Sequence, residues 1–144
     1  MAVTAKVYNK AITSLANKEI DWSSDTIKVT LHTNAYTPSQ TAHQYQSDLT
    51  NEVAAGGGYT TGGQTLTNKT EAFAGQVKKF DADDVTWAAS TITAHYAVIA
   101  DTTPGTAATN PLIAYVDFGA DVVSTGGAFT ITWDANGIFT VTVS

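Results

Sequence analysis

Asp81, Asp83 and Asp84 form the densest group of ionisable side chains in the chain. Carboxylates this close have the oxygen chemistry that Ca2+ takes, which is several hard ligands around one ion. The spacing lacks the glycine and the closing glutamate of an EF-hand loop. The adjacent pair Asp83 and Asp84 does not suit a glycosidase either, because neighbouring residues of a strand point to opposite faces. The group is expected to be a polar turn whose side chains accept hydrogen bonds from nearby N–H groups. His32, His43 and His95 come next, and none has a partner at metal-ligand spacing. His32 and His95 sit on expected strands beside threonines, where they could meet across a sheet. Ordinary hydrogen-bonded or exposed histidines are the expectation. Serine is sparse, and no Gly-x-Ser-x-Gly elbow occurs. Gly56-Gly57-Gly58 and Gly62-Gly63 have no phosphate-loop lysine and no apolar helix after them. They are expected to form a flexible or tightly turned loop.

Aromatic residues offer a second chemistry. Trp22, Trp87 and Trp133, with six tyrosines, could build a platform that stacks on sugar rings. Trp133 is in phase with Phe129 and Ile131 and is expected in the core. Trp22 and Trp87 lie near segment ends and are the candidates for a carbohydrate-binding module. No catalytic residue, metal ligand or cofactor follows from any of these patterns.

The composition narrows the partners. Charged residues are only 14% of the chain, against a usual value near 25%. In their place stand 25 Thr, 22 Ala and 11 Gly. All seven cationic residues are lysines, and with 13 acids the formal charge is -6. Phosphate recognition rests on arginine forks and clustered lysines, so no nucleic acid is expected as a partner. An acidic chain is also repelled by anionic membranes, and no apolar run is long enough to span a bilayer. There is no cysteine, which removes disulfides, thiolate metal sites and thiol nucleophiles. Met1-Ala2-Val3-Thr4-Ala5-Lys6 does not read as a signal peptide.

These side chains must be carried by mostly short strands. Val7, Tyr8, Ala11, Ile12 and Leu15 recur at helical spacing, which predicts a helix over Lys6 to Asn17 with Thr4 as N-cap. From Thr26 the period changes to two, and Ile27, Val29 and Leu31 mark a strand. Thr41 to Val53 is polar and admits a helical turn or two. Thr65–Phe73 and Gln76–Phe80 flank Gly75 as a hairpin. Val85–Trp87, Ile92–Ala100, Leu112–Phe118 and Asp121–Ser124 follow as strands. The second and third of these are apolar on both faces, as central strands or subunit interfaces are. The chain closes on a predicted hairpin, Phe129–Trp133 and Phe139–Val143, about the turn Asp134-Ala135-Asn136-Gly137. About seven to nine short strands indicate a mainly β fold, an antiparallel β-sandwich or small barrel with a short N-terminal helix. A length of 144 residues suits a single domain over 1–144, with a helical segment at 1–22 and the sandwich at 26–144.

Several runs carry a resemblance. They are Leu15-Ala16-Asn17-Lys18-Glu19-Ile20-Asp21-Trp22, Asp25-Thr26-Ile27-Lys28-Val29, Asp48-Leu49-Thr50-Asn51-Glu52-Val53, Gly58-Tyr59-Thr60-Thr61-Gly62-Gly63 and Phe80-Asp81-Ala82-Asp83-Asp84-Val85-Thr86-Trp87. Tyr96-Ala97-Val98-Ile99, Leu112 to Phe118 and the closing Phe-Thr-Ile-Thr-Trp continue them. Together they resemble a family of small tailed-bacteriophage virion structural proteins, including head-fibre and capsid decoration proteins. The resemblance implies a non-enzymatic protein on the outer surface of the phage head, made in the bacterial host cytoplasm. It implies the major capsid protein or other virion proteins as partners, and a homo-oligomer, expected as a trimer. A tail, collar or fibre component is the alternative within the virion. A carbohydrate-binding β-sandwich module is the alternative outside it. Val7, Tyr8, Ala11, Ile12, Leu15 and Trp22 are the expected partner-binding face. Removing Ala2 to Trp22 is expected to abolish particle binding and leave a folded β domain.

Overall fold

Among the residues described, 2–144, the computed structural model has ten strands and one short α-helix. Strands hold 44% of the residues and helical turns 8%. The order is β1 (Thr4–Val7), α1 (Asn9–Ala16), β2 (Ile27–His32), β3 (Gln64–Thr65), β4 (Thr70–Ala74), β5 (Val77–Asp81) and β6 (Val85–Ser90). Then come β7 (Thr93–Asp101), β8 (Leu112–Val123), β9 (Gly127–Ile131) and β10 (Phe139–Thr142), and a 3-10 turn at Gln46–Asp48 lies between β2 and β3. The strands form a five-stranded sheet ordered β1-β8-β7-β2-β3, a three-stranded sheet β10-β5-β4 and a two-stranded sheet β6-β9. Every pairing between strands is antiparallel.

The two smaller sheets share one core with the large one. Ile27, Val29 and Leu31 of β2 and Ala97 and Ile99 of β7 pack in the same cluster as Val85, Trp87, Phe129 and Phe139. Trp22 lies edge-on to Phe80 and Phe139, at 5.8 and 5.4 Å between ring centres. Phe80 and Phe139 stack at 4.3 Å. The opposite face of the large sheet is covered too. Tyr8 and Ala11, with Tyr36 from the loop after β2, pack on Val98, Ala100, Leu112 and Tyr115. This is why β7 and β8 are apolar on both faces: the second face is closed by the chain's own helix and loop.

The N-terminus differs from its sequence reading. Residues 4–7 are strand, and α1 starts at Asn9 with Tyr8 in extended conformation as its N-cap. Thr4 therefore caps nothing; it pairs with Asp117. The helical spacing of Val7 and Tyr8 arose where a strand exit meets a helix entry. The ladder to β8 pairs the main-chain groups of Thr4 and Lys6, which a first helical turn would leave with open N–H groups. The helix ends in a Schellman pair, with Glu19 N–H donating to Ser14 O (2.8 Å) and Lys18 N–H to Leu15 O (3.1 Å). Lys18 takes the left-handed conformation, φ 62°, that this motif requires. Residues 4–7 are thus part of the sandwich, because β1 is an edge strand of the large sheet.

The closing hairpin does not form as such. The turn itself is present, since Gly137 N–H donates to Asp134 O at 2.8 Å. It carries the chain from one sheet to another: β9 pairs with β6, and β10 pairs with β5. Phe129 and Phe139 both face inward as predicted. The hairpin at Gly75 forms, though β4 begins only at Thr70. The segment at Asp121–Ser124 continues β8 through an irregularity, where residues 118–121 lie opposite the single residue His95.

Candidate functional site

The acidic turn is divided among separate tasks. Asp81 pairs with Lys79 Nζ at 3.0 Å and accepts the Ala82 N–H at 3.0 Å. Asp83 accepts from Asn68 Nδ2 at 2.6 Å and from Thr67 Oγ1 at 3.3 Å. Asp84 accepts the Trp133 N–H at 2.9 Å. Only the Asp81–Ala82 bond is the local N–H contact that a polar turn predicts; Asp83 and Asp84 instead fasten the β5–β6 turn to residues 67, 68 and 133. Among the described residues no group of three or more His, Cys, Asp or Glu is placed to hold a metal ion.

The histidines do not meet. His32 is buried, and its Nδ1–H donates to Thr50 O at 2.8 Å while Thr30 Oγ1 donates to Nε2 at 2.9 Å. Burial lowers its pKa below the ordinary value, so the ring is held neutral in that tautomer. His43 ends a chain of hydroxyls under α1. Tyr8 and Tyr36 lie 2.9 Å apart, and Tyr36 lies 3.0 Å from His43 Nδ1. Burial raises the Tyr8 pKa and pushes Tyr36 up to about 12. Both therefore act as neutral hydrogen-bonding groups. His95 stands on the irregular stretch of β7, with Nδ1 2.7 Å from Asp121 and Nε2 3.5 Å from Asp117.

Tryptophan placement reverses the sequence expectation. Trp22 and Trp87 are 3% and 2% exposed, so neither has a face open to a sugar. Trp22 instead donates its indole N–H to Thr70 O at 3.1 Å and joins the first connection to the β4–β5 hairpin. Trp133, predicted to be inside, is half-buried and lines a surface groove. Its indole N–H donates to Asp83 O at 2.9 Å, which takes the polar edge of the ring to the surface.

Of the proposed docking stripe, Tyr8, Ala11 and Trp22 are buried in the protein's own core. Val7 and Leu15 pack against it, and Ile12 alone is freely exposed, at 51%. A helix of eight residues must close one face of the sheet beneath it, and that need consumes the apolar stripe.

Two fastenings escaped the sequence reading. Glu52 Oε1 accepts the Tyr59 hydroxyl at 2.7 Å and the Gly62 N–H at 2.6 Å. Tyr59 in turn accepts the Leu31 N–H at 3.0 Å, so the glycine-rich loop is pinned onto β2. Asp101 is fully buried at the end of β7, with Oδ1 accepting the Thr103 N–H at 2.9 Å and Oδ2 meeting no donor. Burial and the adjoining Asp25 carboxylate push its acid up to about 7. Position after an apolar run was the only sequence sign of this, and it does not separate a buried acid from a loop acid.

Compared with protein-family models, with curated proteins and with solved structures, the chain finds no match. The geometry offers anchored turns, a neutral buried histidine and a groove. No helix among the described residues is long and apolar enough to cross a membrane.

Proposed function

We propose that the chain is a non-enzymatic bacteriophage virion protein, carried on the outer surface of the head as a capsid decoration or head-fibre protein. One observation carries this reading: the runs by which the chain resembles such virion proteins are the runs that fasten this fold. Trp22 closes the core over Phe80 and Phe139. Glu52 and Tyr59 pin the glycine loop to β2. Asp83 and Asp84 hold Trp133. A likeness concentrated on such positions supports a shared architecture, and the virion role comes with the likeness rather than with the fold alone. The Thr- and Ala-rich surface suits crowded copies, since few charges repel across close contacts while a charge of -6 keeps free protein apart.

The test is addition of purified, labelled protein to phage particles assembled without it. Saturable co-sedimentation with particles supports the proposal. Particles that neither contain the protein when wild type nor bind it when added overturn it. The exposure of neither Trp22 nor Trp87 supports the sugar-binding alternative in the form the sequence suggested.

A further inference from the structure

A groove of about 470 Å³ opens where the edge of the large sheet faces the end of β9. Val3 and Ala5 form one wall, Ile131 and Trp133 the other, and Phe118 and Ile138 add to the apolar surface. Asp134 is the sole ionisable residue in the lining. The Asp83 main-chain carbonyl and the Asp84 carboxylate bond Trp133, and Lys79 Nζ donates to the Ala135 carbonyl next to Asp134.

Each wall rises from a strand with an open edge: Ala5 lies in β1 with Val3 just before it, and Ile131 ends β9 with Trp133 two residues on. β1 ends the large sheet, and β9 pairs with β6 alone. The β1 ladder shows which main-chain groups are free. Thr4 pairs with Asp117 and Lys6 with Tyr115, and the Tyr8 N–H donates to Ile113 O at 3.0 Å in the same register. Hydrogen-bonded and non-hydrogen-bonded pairs alternate in an antiparallel ladder. The N–H and C=O of Ala5 and Val7 therefore point away from β8. Gln40 Nε2 caps the Val7 carbonyl at 2.9 Å. No protein group among the described residues caps Ala5.

We propose that this groove takes an extended peptide strand from a partner protein, apolar at alternate residues and basic at its flanks. Open edges recognise an extended backbone, and apolar walls recognise every second side chain. A sugar would bury hydroxyls against Val3, Ile131 and Ile138 without partners for them. Asp134, the one ionisable residue in the lining, favours lysine or arginine on the ligand. Of a second copy's edge strands in the three-stranded sheet, β4 presents Glu71 and β10 (Phe139–Thr142) carries no lysine, so neither supplies the basic flanks. The inference does not rest on the virion assignment and holds for any partner with that chemistry.

The test is an NMR titration of the full chain with a synthetic peptide alternating valine and threonine between paired lysines. The amides of Ala5 and Thr130 to Thr132 and the Trp133 indole are expected to shift and saturate. The same peptide with glutamate ends is expected to bind roughly tenfold more weakly. Methylating alternate peptide nitrogens, which removes the N–H donors and keeps the side chains, is expected to abolish binding. Thr132→Lys, with the remaining spectrum unchanged, is expected to weaken the lysine peptide. Absence of saturating shifts, shifts confined to another surface, or undiminished binding of the methylated peptide overturns the proposal. Shifts at the same amides on raising protein concentration without peptide overturn it in favour of a second copy.

Discussion

Asp101 shows what a single carboxyl does when the fold closes over it. Below about pH 4 the acid is protonated in folded and unfolded chains alike. Between about 4 and about 7 the unfolded chain releases the proton and the folded chain keeps it, so stability falls as pH rises. His32 acts in the opposite sense: its lowered pKa makes stability fall as pH drops below about 6.5. Asp101→Asn keeps the shape and removes the first effect. Urea unfolding from pH 4 to 8 is expected to show the variant gaining on the wild type up to about pH 7 and holding that gain above it. Parallel curves would contradict the burial. Gly63 is a steric counterpart. Its φ is +68°, and a Cβ there would stand 1.8 Å from Val29 O. Gly63→Ala is expected to cost at least about 3 kcal/mol, read as a lowered urea midpoint. Glycine at that position was legible as a turn residue, but its contact with β2 was not, because that contact joins segments far apart in sequence.

At the scale of elements, periodicity located strands well and assigned partners poorly. β2, β7 and β8 follow from their apolar patterns, and the turn at residues 134–137 forms where Asn136 and Gly137 predict it. Which strands pair across that turn depends on where Phe129 and Phe139 find apolar neighbours, and no local rule contains that. Nor does a helical stripe say whether it faces a partner or the protein's own sheet. Tyr8, Ala11 and Trp22 settle that question for the first segment, since they are core residues. Deleting Ala2 to Trp22 is therefore expected to unfold the β domain rather than release it intact, removing β1, α1 and the core side chains Tyr8, Ala11, Ile20 and Trp22 together. Trp22→Ala alone is expected to cost about 3–5 kcal/mol. A truncated chain with a native-like NMR spectrum would contradict both the pairing of β1 and the place of Trp22.

For the whole molecule, the composition acquires a structural cause. Threonines such as Thr86 and Thr130 meet on exposed strand faces, with hydroxyls 3.0 Å apart, and alanines such as Ala97 and Ala114 pack inside the sheet. Few charges are needed because turns are tied by Asp83, Asp84 and Glu52 to particular neighbours. A surface of small uncharged side chains is consistent with the proposed virion role. The most direct measurement of the proposed assignment is immunogold labelling, with antibody against this chain, of intact phage particles from cells that produce it. Label spread over the head is the predicted result; label confined to the tail, or particles without label, would contradict the assignment to the head surface.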